Sequence, residues 1–391
     1  MNPLLKNLNE SLTLEFADKV RKKEQAGNKI IKLQTGDPFF LPPEDLISTF
    51  QKCLTEHNNH YSVSRGVPKI RTELSHKLKL DFDVSISPDE SILMTNGASH
   101  ALFIAIATLI DRGDEVIVPS PYWMPYLNDI LFCGGVPKIV NLSSETNFKI
   151  TIDHLKKELT NKTKVLMLNN PTNPTGAFYS KEDIHSIYSF CKSNGLYLLI
   201  DEVYSDYVYD ETFYSSLQIN DLKTIITISS FSKTFAMTGW RLGYIIADKE
   251  IINEALKVSQ FTSTHASTVV QQALGEYLSQ NTYNHYIKKI TGYIHEQQTI
   301  LSKNHKNLIE KNILNIPKST FYCLLDFRKT NMSSKELSFY FLDKNLSLMP
   351  ATAFGKNLEG YLRISLASSA EEILNGLHLL ENDPLTKKLL S

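Results

Sequence analysis

Lys233 closes the run Thr227–Ser232 (TISSFS) and stands eight residues before Arg241 in SKTFAMTGWRLGY. A lysine at the rim of an apolar strand is kept neutral by desolvation and by neighbouring cations, and a neutral amine forms an imine with an aldehyde. Taken alone, the segment reads better as a surface lysine. Asp201 ends LYLLID and is followed by Glu202, Val203 and Tyr204. An acid behind five apolar residues is partly desolvated and needs a cationic partner, although a helix cap or loop carboxylate fits Asp201 in isolation. Thr95–Ser99 (TNGAS) joins the run SILMT to an apolar helix beginning at Ala101. Free backbone N–H groups and a helix N-terminus there converge on a spot suited to phosphate, though small residues open many helices. Asn169–Gly176 (NNPTNPTG) follows VLMLN, and its successive turns fix an amide side chain rigidly or serve as plain turns.

These residues follow short apolar runs, and the runs define the scaffold. Between about 90 and 250, Ser91–Thr95, Glu115–Pro119, Pro137–Leu142, Val165–Asn169, Leu196–Asp201, Thr224–Ser229 and Gly243–Ala247 alternate with amphipathic helical stretches or punctuated loops. That alternation predicts βαβ units and a mainly parallel sheet. The remainder has another texture: a helical stretch near Tyr283–Lys311, strands at Phe321–Phe327 and Tyr361–Ala367, and helices at Ser334–Leu342 and Ser369–Glu381. The expected fold is α/β, a large domain with a seven-stranded mainly parallel sheet flanked by helices, plus a smaller α+β domain. Residues 47–282 are assigned to the large domain, and 1–46 with 283–391 to the small one. Ligands are expected in the cleft at the carboxyl ends of the large sheet's strands.

Composition narrows the partners. The 391 residues carry 41 Lys plus Arg against 42 Asp plus Glu, so no overall field draws the chain to nucleic acid or an anionic membrane. The Lys pairs at 22–23, 156–157, 288–289 and 387–388 read as solvated surface. A start without a charged segment feeding an apolar one, and no run of about 18 uncharged apolar residues, point to the cytoplasm. Cys53, Cys133, Cys191 and Cys323 are widely spaced, which suits reduced thiols and no metal site. Neither GxxxxGK[ST] nor GxGxxG occurs, removing support for nucleotide binding.

Together the pieces resemble the class I/II aminotransferases, the fold-type I family of pyridoxal-phosphate enzymes. NNPTNPTG, then D-E-V-Y at Asp201–Tyr204, S-x-S-K at Ser230–Lys233, Arg241 and YLRIS with Arg363 occur in family order over nearly the whole chain. LQTGDP (Leu33–Pro38), Tyr61 in YSVSRGVPKIR, NGAS (Asn96–Ser99) and PYW (Pro121–Trp123) also look like the family's pattern.

The resemblance implies a role for each residue. Lys233 holds pyridoxal 5'-phosphate as a Schiff base, is displaced by the substrate amine and then moves the proton between Cα and the cofactor. Asp201 keeps the pyridine nitrogen protonated. Tyr204 and Asn173 hydrogen-bond the phenolic oxygen, and Trp123 stacks on the ring. Ser230, Ser232 and Arg241, with the amides of Gly97, Ala98 and Ser99, cradle the phosphate. Tyr61 reaches that phosphate from a partner subunit, which makes a homodimer with shared active sites. Arg363 grips the substrate α-carboxylate, aided by Asn173 and the Gly36 backbone. His100 and His265 have no assignment.

The implied reaction is ping-pong transfer of the amino group of an L-amino acid to a 2-oxo acid. Some aspartate-accepting relatives carry a lysine where this chain has Ser99. With Phe16, Phe39, Phe40 and Tyr126 near cleft-lining segments, an aromatic or neutral substrate side chain is expected ahead of aspartate. A pyridoxal-phosphate β-lyase acting on amino acids is the alternative enzyme. An aminotransferase-like ligand-binding regulator is the alternative class, disfavoured by an N-terminal arm too short for a helix-turn-helix.

Overall fold

The computed structural model of the chain describes residues 12–56 and 58–391. Among these, thirteen strands form three sheets: β1 (Ile31–Lys32), β2 (Ile92–Thr95), β3 (Glu115–Ser120), β4 (Val136–Asn141), β5 (Thr163–Asn169), β6 (Tyr197–Asp201), β7 (Ile225–Ser230), β8 (Gly243–Ile246), β9 (Leu314–Asn315), β10 (Tyr322–Asp326), β11 (Leu346–Ser347), β12 (Met349–Pro350) and β13 (Tyr361–Ser365). The large sheet has the order β2-β8-β7-β6-β5-β3-β4. Its strands are parallel except β8, which runs antiparallel to both β2 and β7.

Both faces of this sheet are covered, and side chains alternate between them with the period of two that a strand imposes. Val165 and Met167 of β5 pack with Ala101 and Ile104 of the helix Ala98–Leu109. Leu166 and Leu168, between them, pack with Ile184 and Ile187 of the helix Lys181–Ser193 on the other face. That second helix forms where it does because Ser180 and Asp183 make a reciprocal capping box at its start. Its apolar residues Ile184, Ile187 and Cys191 then fall on one side at helical spacing. Each aliphatic side chain so buried contributes about 1.5–3 kcal/mol.

The smaller part is the antiparallel sheet β12-β13-β10-β9 with helices against it, beside which β1 pairs in parallel with β11. From the N-terminal helix Leu12–Gln25, Phe16 and Val20 are buried against Leu324, Leu342 and Met349. The helix Tyr283–Asn304 runs past both parts: Tyr283 and Ile287 pack with Phe231 and Phe235, whereas Ile290 and Ile294 pack with Phe321 and Leu362. The expected single helical stretch to Lys311 is corrected here. It breaks at His305, whose backbone (φ −121°, ψ 40°) is not helical and whose buried ring meets Glu381 at 2.7 Å, and a short helix follows over Lys306–Glu310. All four cysteines are unpaired. No helix among the described residues is long and apolar enough to cross a membrane.

Candidate active site

The carboxyl ends of β2, β3, β5, β6 and β7 share one edge of the large sheet, and the reversed β8 brings its own beginning to that edge, with Gly243 opposite Thr95 and Ser230. Arg241, two residues before β8, is thereby delivered to the same place as Lys233, just beyond β7. A cavity of about 350 Å³ opens there against β13 and β12. Its lining includes Gly36, Ala98, Ser99, Trp123, Asn173 and Asp201, and likewise Tyr204, Ser230, Ser232, Lys233, Arg241 and Arg363. Of the residues singled out in the sequence, Gly97 stands just behind the wall. Tyr61 stands away from it, 89% exposed, with its ring 5.8 Å from that of His265.

Lys233 lies in a single helical turn whose frame is pinned on both sides. The Tyr207 hydroxyl donates to the Lys233 carbonyl at 2.8 Å, and the Thr234 hydroxyl donates to Asp206 at 2.6 Å. Its Nζ donates to the Gly36 carbonyl at 2.6 Å. Burial pushes its pKa down to about 8; Asp37 opposes that, while Arg363 and Arg241 reinforce it. At pH 7 roughly a tenth of such a lysine is neutral, several hundred times more than for a solvated one.

Asp201 is buried at the end of β6. It accepts from the Tyr126 hydroxyl at 2.7 Å and from the Val203 N–H at 3.1 Å. Burial raises its pKa to about 6, against the pull of those two bonds. Among the described residues the carboxylate has only neutral donors. A protonated ring nitrogen delivered by a ligand would supply the missing charge. Glu202, its neighbour, is equally buried but answered by Ser215 and Ser216, so it holds a loop.

Two cations face the cavity without an acidic partner among the described residues. Arg241 donates to the Thr238 carbonyl at 2.8 Å and packs so closely on Gly97 that a Cβ there would lie 2.6 Å from its Nη2. Beside it the helix Ala98–Leu109 begins without any side-chain cap, and the Ser230 and Ser232 hydroxyls complete a set of donors matched to a phosphate. Arg363, in the middle of β13, is 4% exposed. It donates to the Asn173 Oδ1 at 2.9 Å and the Gln34 carbonyl at 2.8 Å, and its Nε has no partner. Asn173 is itself held by the turn, its N–H donating to the Asn169 Oδ1 at 2.7 Å. A buried guanidinium answered only by neutral oxygens is set for a carboxylate.

The expectation of an aromatic lining is corrected in detail. Phe16 faces Phe339 in the core, and Phe39 and Phe40 pack against Tyr293. Tyr126 does line the cavity, but as a donor to Asp201. Tyr322, Gln34, Met349, Phe354 and the N-terminal Thr13, Leu14 and Ala17 also line the cavity, and only chain crossings distant in sequence bring them there. His100 accepts from the Asn96 N–H and His265 from the Ser62 N–H, so both serve local backbone.

Comparison with known proteins bears on this site. The profile of the family described as aminotransferase class I and II matches residues 28–380. A probable aspartate aminotransferase of Methanocaldococcus jannaschii is 33% identical over 362 residues, which cover 91% of this chain and 94% of that protein. The aromatic-amino-acid aminotransferase 2 of Thermococcus litoralis is 31% identical over 92% of this chain and 93% of its own. The crystal structure of the aromatic aminotransferase from Pyrococcus horikoshii superposes with a TM-score of 0.88 at 30% identity, covering 95% of this chain and all of that one.

Proposed function

From the premise that the chain belongs to the class I and II aminotransferases and is a transaminase, we propose that it holds pyridoxal 5'-phosphate on Lys233 and draws amino groups from L-amino acids with aromatic or other uncharged side chains, passing them to 2-oxo acids. The observation that carries this reading is one cavity in which a partly neutral lysine, a buried acid without a cation and two arginines without anions among the described residues lie together. That inventory is the complement of an aldehyde, a ring nitrogen, a phosphate and an α-carboxylate, so the residues fit the cofactor. The β-lyase alternative has nothing in its favour here.

The chemistry the cofactor supplies when bound is a carbonyl that captures amines and a ring that takes up the electrons left at Cα. Everything else falls to the chain. Lys233 offers the neutral amine at near-neutral pH and, once displaced by the substrate amine, would carry the proton from the substrate Cα to the cofactor's former carbonyl carbon on the other side of the nitrogen. Asp201, oriented by Tyr126, keeps the ring nitrogen charged. Tyr204 and the Asn173 amide would donate to the ring oxygen, and Trp123 would cover a ring face. Ser230, Ser232, Arg241 and the first-turn amides retain the phosphate, with Tyr61 of a partner subunit. Arg363 orients the α-carboxylate so that the Cα–H bond faces the lysine.

Substrate choice follows from what is left. Once Lys233, Arg241 and Arg363 are committed, the rest of the lining, which includes Thr13, Leu14, Ala17, Met349 and Phe354, has among the described residues no cation for a second carboxylate. Burying an unpaired carboxylate costs several kcal/mol, so phenylalanine or tyrosine should outrun aspartate by roughly a hundredfold or more. The test is a screen of amino acids for single-turnover bleaching of the bound cofactor's visible absorbance, with borohydride fixation and peptide mapping to place the adduct on Lys233. Aspartate reacting faster than the aromatic acids would overturn the substrate assignment. A chain that takes up no pyridoxal phosphate would overturn the whole reading.

A further inference from the structure

Tyr322 lines the cavity and has no role so far. It opens β10 and is 1% exposed. Its hydroxyl lies 2.9 Å from that of Tyr204 and has no other hydrogen-bond partner among the described residues. The Arg363 guanidinium carbon lies 4.2 Å from the centre of its ring. A Cβ on Gly36 would come within 2.7 Å of its hydroxyl, so it also abuts the backbone whose carbonyl receives the Lys233 amine. One phenol touches the surroundings of the nucleophile, the carboxylate grip and the tyrosine facing the cofactor's ring oxygen.

We propose that Tyr322 is a positioning residue that donates its hydrogen bond to Tyr204 and so turns the Tyr204 proton towards the cofactor. A phenol has a single proton, and two hydroxyls 2.9 Å apart share one hydrogen between them. If Tyr204 gave its proton to Tyr322, it would meet an anionic ring oxygen with a lone pair, and the two would repel. The asymmetry of charge decides the direction. Burial pushes both phenols up. At Tyr204 the neighbouring Tyr322 and the Asp201 carboxylate add to burial while Arg363 opposes it, whereas at Tyr322 Arg363 is the foremost influence opposing burial, its guanidinium carbon 4.2 Å from the ring centre. The phenol stacked on the cation is the readier donor. The chain Tyr322 to Tyr204 to ring oxygen is then cooperative, each bond polarising the next.

The inference rests on the proposed use of the cofactor, and the test separates the two. In the holoenzyme, the pH at which the visible absorbance of the Lys233-bound cofactor changes reports how well the ring oxygen is stabilised as an anion. Tyr322→Phe keeps the ring and its stack on Arg363 but removes the proton. Its midpoint should rise by about half to one pH unit, the worth of one net hydrogen bond. Binding of the unreactive carboxylate 3-phenylpropionate should change less than about threefold, since the guanidinium contact is retained. Tyr204→Phe should shift the midpoint at least as far, and the double variant no further than Tyr204→Phe alone, because the outer donor acts only through the inner one. An unmoved midpoint in Tyr322→Phe, or additive shifts in the double variant, would sink the inference while leaving a coloured, active transaminase. Absence of cofactor binding in the parent protein would instead remove the reading on which it stands.

Discussion

A solvated lysine is almost fully charged at pH 7, whereas Lys233 is held at about 8 by burial, Arg363 and Arg241 in opposition to Asp37. The same numbers predict a stability effect in the cofactor-free protein. Between about pH 8 and the ordinary value of 10.5 the unfolded chain binds more protons at this position than the folded one, so folding stability gains with rising pH there, and below pH 8 the full cost of a buried ammonium is present. Lys233→Met should therefore stabilise the cofactor-free protein at pH 7 by up to about 3 kcal/mol, with the advantage shrinking as pH rises from 8 to 10. Urea unfolding of both proteins at the two pH values measures this. A variant less stable than the parent at pH 7 would show that the amine is not desolvated. Lys233 and Asp201 were legible in the sequence because each is a charged residue at the end of a buried strand, where charge is costly unless it has work, whereas Arg363 was legible only through the resemblance of YLRIS to the family's pattern. Tyr126 and Tyr322 were not, since an aromatic in a helix or strand reads as core and only the fold reveals what its hydroxyl meets.

At the level of elements, the seven strands of the large sheet stood out because parallel strands buried on both faces are continuous apolar runs. The direction of β8 did not, since strand polarity leaves no mark in hydrophobicity, and it is this reversal that places Arg241. The two-residue strands β1, β9, β11 and β12 are too short for any periodicity. The junction between β2 and the helix Ala98–Leu109 depends on Gly97, whose φ of +81° lies in the left-handed region and whose missing Cβ makes room for Arg241. Gly97→Ala should leave the circular dichroism spectrum intact while displacing the guanidinium. Loss of a charge-assisted bond corresponds to roughly ten- to a hundredfold weaker cofactor binding, which fluorescence titration of the cofactor-free protein would read. Unaltered affinity would mean that Arg241 does not serve the phosphate.

For the molecule as a whole, Tyr61 is 89% and Phe261 93% exposed in the isolated chain, an expensive way to display large aromatics unless a second copy covers them. Sedimentation should give about twice 44.4 kDa, and Tyr61→Phe should weaken cofactor retention about tenfold without altering that mass. A fully active monomer would refute the shared site. Within each copy, the pairing of β1 with β11 has a consequence in time. Gly36 and Gln34 follow directly on a strand whose partner lies some three hundred residues later. At ribosomal speeds of about 5–20 residues per second, that partner appears roughly 15 to 60 seconds after the strand itself. The large sheet, complete by Ile246, emerges well before it. Nascent chains therefore carry Lys233 and the proposed phosphate cradle while Gly36 still lacks the strand that seats it and Arg363 is not yet made, and on the proposed function cofactor capture can precede substrate competence by that interval.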